Sequence, residues 1–156
     1  DDKDFEGMKG KLEEDRSKGD WWRFSDMAMN LSVLFPDRKR ELNLDDKDFE
    51  GMEGQLEECR SNGNWCGFSY IAMSLSVLFP DRKRELNLDD KDFEGMEGQL
   101  EEDRSKVDWW NFSDMAMHLS LLAAERAEIL NGQIVIKPKL RKLTQAPRPL
   151  PERSQL

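Results

Sequence analysis

Apolar residues in this chain recur at helical spacing, and the same stripe returns every 44 residues. In the stretch 45–62, Phe49, Met52, Leu56 and Cys59 stand at i, i+3, i+7 and i+10, which puts them on one face of a helix. Ser61, Asn62 and Gly63 follow. Glycine readily takes the left-handed conformation that ends a helix, so this helix is predicted to stop there. A second stripe is clearest in the first copy, where Trp21, Phe24, Ala28, Leu31 and Phe35 share a face that Met27 and Leu34 widen. Asp20 is its predicted N-cap and Pro36 its predicted end. The connector FPDRKRELNL offers Leu42 and Leu44 as apolar anchors and has room for one short helical turn. Each period therefore reads as two helices and a connector.

The first two copies agree at 34 of 44 positions, and the first and third agree at 28 of their first 34. A fixed period of this length indicates a repeat array. It falls near the roughly 40–47 residues of HEAT and armadillo units, although the likeness stops at the period. The expected fold is all-α, a solenoid of tandem helical hairpins: repeat 1 at 1–44, repeat 2 at 45–88, repeat 3 at 89–130, and a cap and tail at 131–156. Asn131–Gly132 between two β-prone runs predicts a short hairpin, Glu128–Leu130 with Gln133–Ile136, capping the array. A helix ending at Gly132 is the rival reading. Pro147, Pro149 and Pro151 then predict an extended tail, either a plain C-terminus or a docking peptide.

Charge refines this picture. Charged residues make up 37% of the chain and hydrophobic ones 37%, which suits units that each bury a stripe better than one large core. Residues 1–132 are strongly acidic and the tail 133–156 is basic, within a net charge of −9. An acidic body repels phosphates, so no nucleic-acid partner is expected. No apolar run approaches the roughly 18 residues that span a bilayer, so no membrane partner is expected either. The chain opens on Asp1–Phe5 without an initiator Met or a basic or apolar leader. It therefore reads as a processed or excised piece without a signal peptide, with the cytoplasm slightly favoured. Its direct entry into a helix, and the loss of Phe-Pro only in repeat 3, predict the C-terminal end of a longer array.

The start of each repeat invites a chemical reading. Asp46, Asp48, Glu50, Gly51 and Glu57 occupy the first, third, fifth, sixth and twelfth positions of a stretch that resembles an EF-hand calcium loop. The matching sets are Asp2, Asp4, Glu6, Gly7, Glu13 and Asp90, Asp92, Glu94, Gly95, Glu101. Three departures stand against it. The fifth ligand is a longer Glu, the eighth position is Lys9, Glu53 or Glu97 instead of apolar, and Phe49 would sit in a wet loop. A capped helix start accounts for the same residues. Asp45 would be the N-cap, backed by Asp48, with Leu44 and Phe49 as a hydrophobic staple and the carboxylates at the positive end of the dipole. The helix is the preferred reading and calcium binding the alternative.

Glycine pairs inside the first helix of each repeat (Gly7 and Gly10, Gly51 and Gly54, Gly95 and Gly98) predict a seam where a helix or a Trp ring comes close. Trp21 and Trp109 lie on the apolar stripe and read as packing residues, while Trp22 and Trp110 are offset toward solvent. His118, aligned with Asn30 and Ser74, reads as a variable surface position. Cys59 and Cys66 flank the turn of repeat 2 symmetrically and would face each other, which suggests a disulfide. Their counterparts, Asp15 with Trp22 and Asp103 with Trp110, suggest carboxylate–indole hydrogen bonds instead.

No nucleophile motif, phosphate loop or second histidine joins these features, so no catalytic residue and no cofactor is expected. The expected role is a non-enzymatic scaffold or protein-interaction module, with a protein partner or self-association through the array ends. The alternatives are a calcium-binding repeat protein and an engineered or structural array without a ligand.

Overall fold

The computed structural model describes residues 1–131 and divides them between two compact units, Asp1–Asn87 and a second beginning at Leu88. Among the described residues the structure is helical, with no strand. The first unit holds α1 (Asp2–Lys18), α2 (Trp21–Leu34), α3 (Asp46–Asn62) and α4 (Trp65–Leu78), with seven-residue 3-10 connectors at Pro36–Leu42 and Pro80–Leu86. The second unit holds α5 (Asp90–Ser105) and α6 (Trp109–Asn131). In each case the two helices of a repeat pack as a hairpin, and in the first unit α2 also packs against α3 and α4.

Local chemistry sets the helix ends. Asp1, Asp45 and Asp89 cap α1, α3 and α5, each accepting a hydrogen bond from the backbone N–H three residues on. Asp4, Asp48 and Asp92 return the contact to the cap residue, completing three capping boxes with Asp in the third helical position. Gly19 and Gly63, at φ 68° and 69°, end α1 and α3 in the left-handed conformation. In repeat 3 Val107 stands at this place and is held at φ 57°. The hydrogen bond that closes the turn survives: Asp108 N–H donates to Asp103 O at 2.9 Å, as Asp20 does to Asp15 O at 3.0 Å. Asp20 and Asn64 cap the second helices, and proline after Phe35 and Phe79 prevents α2 and α4 from continuing.

The predicted stripes are buried at most positions, while Trp21, Met27 and Phe35 are half-buried and Leu34 is exposed. Phe49, Met52, Leu56 and Cys59 are all buried, as are Phe24, Ala28 and Leu31. Each connector adds one buried leucine, Leu42 or Leu86. Its arginine covers the first phenylalanine of the same repeat. The guanidinium carbon of Arg38 lies 3.7 Å from the centre of the Phe5 ring, and that of Arg82 lies 3.7 Å from Phe49. Both arginines also pair with the first acidic residue of the helix below, Asp2 at 3.1 Å and Asp46 at 3.0 Å.

The C-terminal hairpin is corrected at its first strand, because Glu128–Leu130 belongs to α6, a helix of 23 residues. Ala123 and Ala124 replace the Phe-Pro pair, so nothing blocks propagation, and Ala, Glu, Arg and Leu all favour a helix. Within this longer helix Arg126 keeps the connector arginine's task, lying over Phe93 and pairing with Asp90 at 3.0 Å. The second predicted strand, Gln133–Ile136, and the proline-rich tail lie outside the described residues.

Candidate functional site

The carboxylates of the DxDxEG stretches sit along helices. Asp46, Asp48, Glu50 and Glu57 all belong to α3, spread over more than three turns. Asp48 is buried and bound to Arg16, while Asp46 pairs with Arg82 and Glu57 with Arg60. Among the described residues no group of three or more acidic, histidine or cysteine side chains is gathered as a metal site. No helix among them is long and apolar enough to cross a membrane.

What the fold does build is a joint between neighbouring repeats. Arg16 reaches from the last turn of α1 to the first turn of α3. Its Nε and Nη2 donate to Asp48 Oδ1 and Oδ2 at 2.7 and 2.9 Å, and Nη2 also donates to Leu42 O at 3.1 Å. The two-pronged pair raises the Arg16 pKa, and the Asp48 hydrogen bond is the main cause. One turn further along the chain, Trp21 lays its ring on Gly51. A Cβ added there would sit 2.0 Å from Trp21 Cε2, so only glycine admits the indole. Trp22 stacks on Tyr70, with ring centres 6.5 Å apart and planes 12° from parallel, and its tip lies over Gly67. The Tyr70 hydroxyl donates to Asp26, and burial together with that carboxylate raises the phenol's pKa.

The predicted glycine seam is therefore real at Gly51, with a Trp ring as the approaching group. Gly10, Gly54 and Gly98 have nothing close to their vacant Cβ positions and are not part of it. Sequence reasoning missed Gly67 and Tyr70, which depart from Arg23 and Asp26 of repeat 1 at the place where Trp22 lands. The predicted bond from an indole to Asp15 is corrected, since Trp22 is turned to Tyr70. Asp15 instead lies 3.5 Å from Lys11, and Asp103 accepts from Gln99 at 3.0 Å. Cys59 is buried and Cys66 exposed, with no disulfide drawn between them.

Other apolar side chains lie open within each unit. On repeat 1, Asp1, Lys3, Asp4, Gly7, Met8, Leu34 and Phe35 line a groove of about 730 Å³. Leu34 is 62% exposed, whereas its counterpart Leu78 is 4% exposed. In the second unit Trp109 is 56% and Trp110 84% exposed, and Met117 and Leu121 are also exposed. This corrects the reading of Trp109 as a packing residue. His118 is corrected in the opposite sense: it is buried, which pushes its pKa down against the opposing pull of Asp114. No protein family, curated protein or solved structure matches the chain.

Proposed function

We propose that this protein is a non-enzymatic helical-repeat interaction module that engages protein surfaces through the outer faces of its repeats. One observation carries the reading: Leu34 lies open where its counterpart Leu78 is buried, and Trp109 and Trp110 are exposed where Trp21 and Trp22 are half-buried. Val33 and Leu34 on repeat 1, and Trp109 and Trp110 on repeat 3, form apolar surface of the kind that protein partners cover. The acidic side chains support the same reading, because they act as helix caps and as partners of Arg16, Arg38 and Arg82.

Site-specific photocrosslinking tests this. A photoreactive side chain at Leu34 or Trp110 should yield protein adducts, whereas one at exposed Glu58 should not. Equal yields from all three positions would remove the proposal.

A further inference from the structure

The joint inside the first unit has two halves, and further copies of each recur along the chain. The giving half is an arginine and a tryptophan five residues apart, Arg16 and Trp21. Arg16 lies over Phe24 at 5.2 Å, and Trp21 meets the same ring edge-on at 5.1 Å. In the second unit Arg104 lies over Phe112 at 5.2 Å, and Trp109 meets that ring edge-on at 5.3 Å. The ring packing of the giving half is thus preformed on repeat 3, with Trp109 largely exposed and the Arg104 side chain 50% exposed, its Nη1 donating to Glu101 at 2.6 and 2.7 Å and its other nitrogens left to meet a second carboxylate.

The receiving half is Asp48, Gly51 and Met52 on α3, seated beside the Phe49–Phe79 ring pair at 5.2 Å. Repeat 1 repeats it as Asp4, Gly7 and Met8 beside Phe5–Phe35, also at 5.2 Å. Here Gly7 faces open space, the Asp4 side chain accepts from the Asp1 nitrogen at 3.0 Å, and the groove lies alongside.

We propose that a second copy of this chain fills that groove, inserting Trp109 over Gly7 and closing the Arg104 guanidinium on Asp4. The inference rests on the interaction-module reading and names its partner. Three things on the molecule select this occupant. The charges are complementary, the tryptophan matches a vacancy shaped like the one Trp21 fills, and the contact continues the packing already present between repeats 1 and 2. The Trp22–Tyr70 part of the joint is not reproduced, because Arg23 and Asp26 stand where Gly67 and Tyr70 would be. The exposed Arg23 guanidinium can instead lie on the face of Trp110. Such a contact joins unlike surfaces, head to tail.

Sedimentation of the full chain, from micromolar to millimolar concentration, tests the proposal. The average mass should rise with concentration. Gly7→Leu fills the socket, and Trp109→Ala removes the knob. Each should weaken self-association by roughly thirty-fold or more, as loss of a central tryptophan does in other interfaces. Gly7→Leu lies at an open helical position, so its melting temperature should not fall. Mixing the two variants leaves one intact knob and one intact socket, and should restore a one-to-one dimer. A chain that stays monomeric throughout, variants that associate like the parent, or a mixture that fails to pair would each overturn the proposal. If the monomeric chain binds only when a further repeat is fused ahead of Asp1, the socket belongs to a neighbouring repeat and the second copy is excluded. Photocrosslinks from Leu34 to a different protein would then still stand for the interaction module, so the two readings fail separately.

Discussion

Arg16 and Asp48, 32 residues apart in sequence, close a two-pronged ion pair that ties the end of one repeat to the start of the next. The Asp48 side chain is 0% exposed, whereas Asp4, the same residue one repeat earlier, is 71% exposed. Removing one partner of a buried pair leaves the other charge uncompensated, at a cost of about 3–5 kcal/mol. Because Arg16 keeps some contact with water, Asp48→Ala should cost about 3 kcal/mol, the low end of that range. Asp4→Ala should cost much less. Urea unfolding of the two variants checks the contrast, and equal losses would show that the ion pair contributes little.

A second contrast sets Gly51 against Gly7. Adding a methyl group at Gly51 forces Trp21 or the helix to move, and should destabilise by roughly 1–3 kcal/mol, as overpacking does. The same change at Gly7 meets nothing and removes a flexible residue from a helix interior, so it should stabilise by up to about 1 kcal/mol. Thermal melts of Gly51→Ala and Gly7→Ala should therefore shift in opposite directions.

The helical stripes, their caps and their stops were legible because they depend on residues close in sequence. Phe49, Met52 and Leu56 announce their shared face through spacing alone. What covers a face was not legible, because identical residues meet different neighbours. Leu34 and Leu78 read alike, yet only one is buried. The fate of Glu128–Leu130 depended on a competition that local pattern does not decide, between a favoured Asn-Gly turn and a helix freed of its proline. The Arg16–Asp48 joint left no such signal, because Arg16 keeps its place in all three copies no more than its exposed neighbours Glu13, Glu14 and Ser17 do.

Val107 gives a prediction in the stabilising direction. A β-branched residue at φ 57° is strained, because the left-handed region costs an L-residue roughly 1–2 kcal/mol. Val107→Gly should relieve this, less the entropy that glycine adds to the unfolded chain, for a net gain of about 1 kcal/mol. The reverse change in repeat 2, Gly63→Val, should destabilise by a similar amount. Chemical denaturation of both variants measures the pair, and a loss of stability in Val107→Gly would contradict the strain argument.

The two thiols should differ in reactivity. Burial raises the Cys59 pKa, helped by the nearby Glu58 and opposed by a hydrogen bond from Gln55, so little of it is thiolate at neutral pH. Cys66 is exposed. Under native conditions one equivalent of alkylating agent should therefore label Cys66 first, and Cys59 only slowly or after unfolding. Peptide mapping by mass spectrometry reads the order. If neither residue reacts until a reductant is added, the two sulfurs are bonded to each other.

His118 should make stability depend on pH in a defined window. Burial lowers its pKa in the folded chain below the ordinary 6.5, with Asp114 only partly offsetting the effect. The unfolded chain therefore takes up this proton first as pH falls, and protonation favours unfolding. Above 6.5 both states are neutral at this residue, and its full stabilising contribution is present. Below 6.5 that contribution shrinks, and it continues to shrink until pH has passed the lowered folded value. Carboxylates also titrate on the acid side, so the parent must be compared with His118→Ser, which places here the residue found at Ser74. Both chains share the carboxylate terms, which cancel in the difference. The stability of the parent relative to His118→Ser should be larger at about pH 7.5 than at about pH 5.5, on either side of histidine's ordinary range. A difference that stays constant, or that grows in acid, would mean that His118 is not held neutral by its burial.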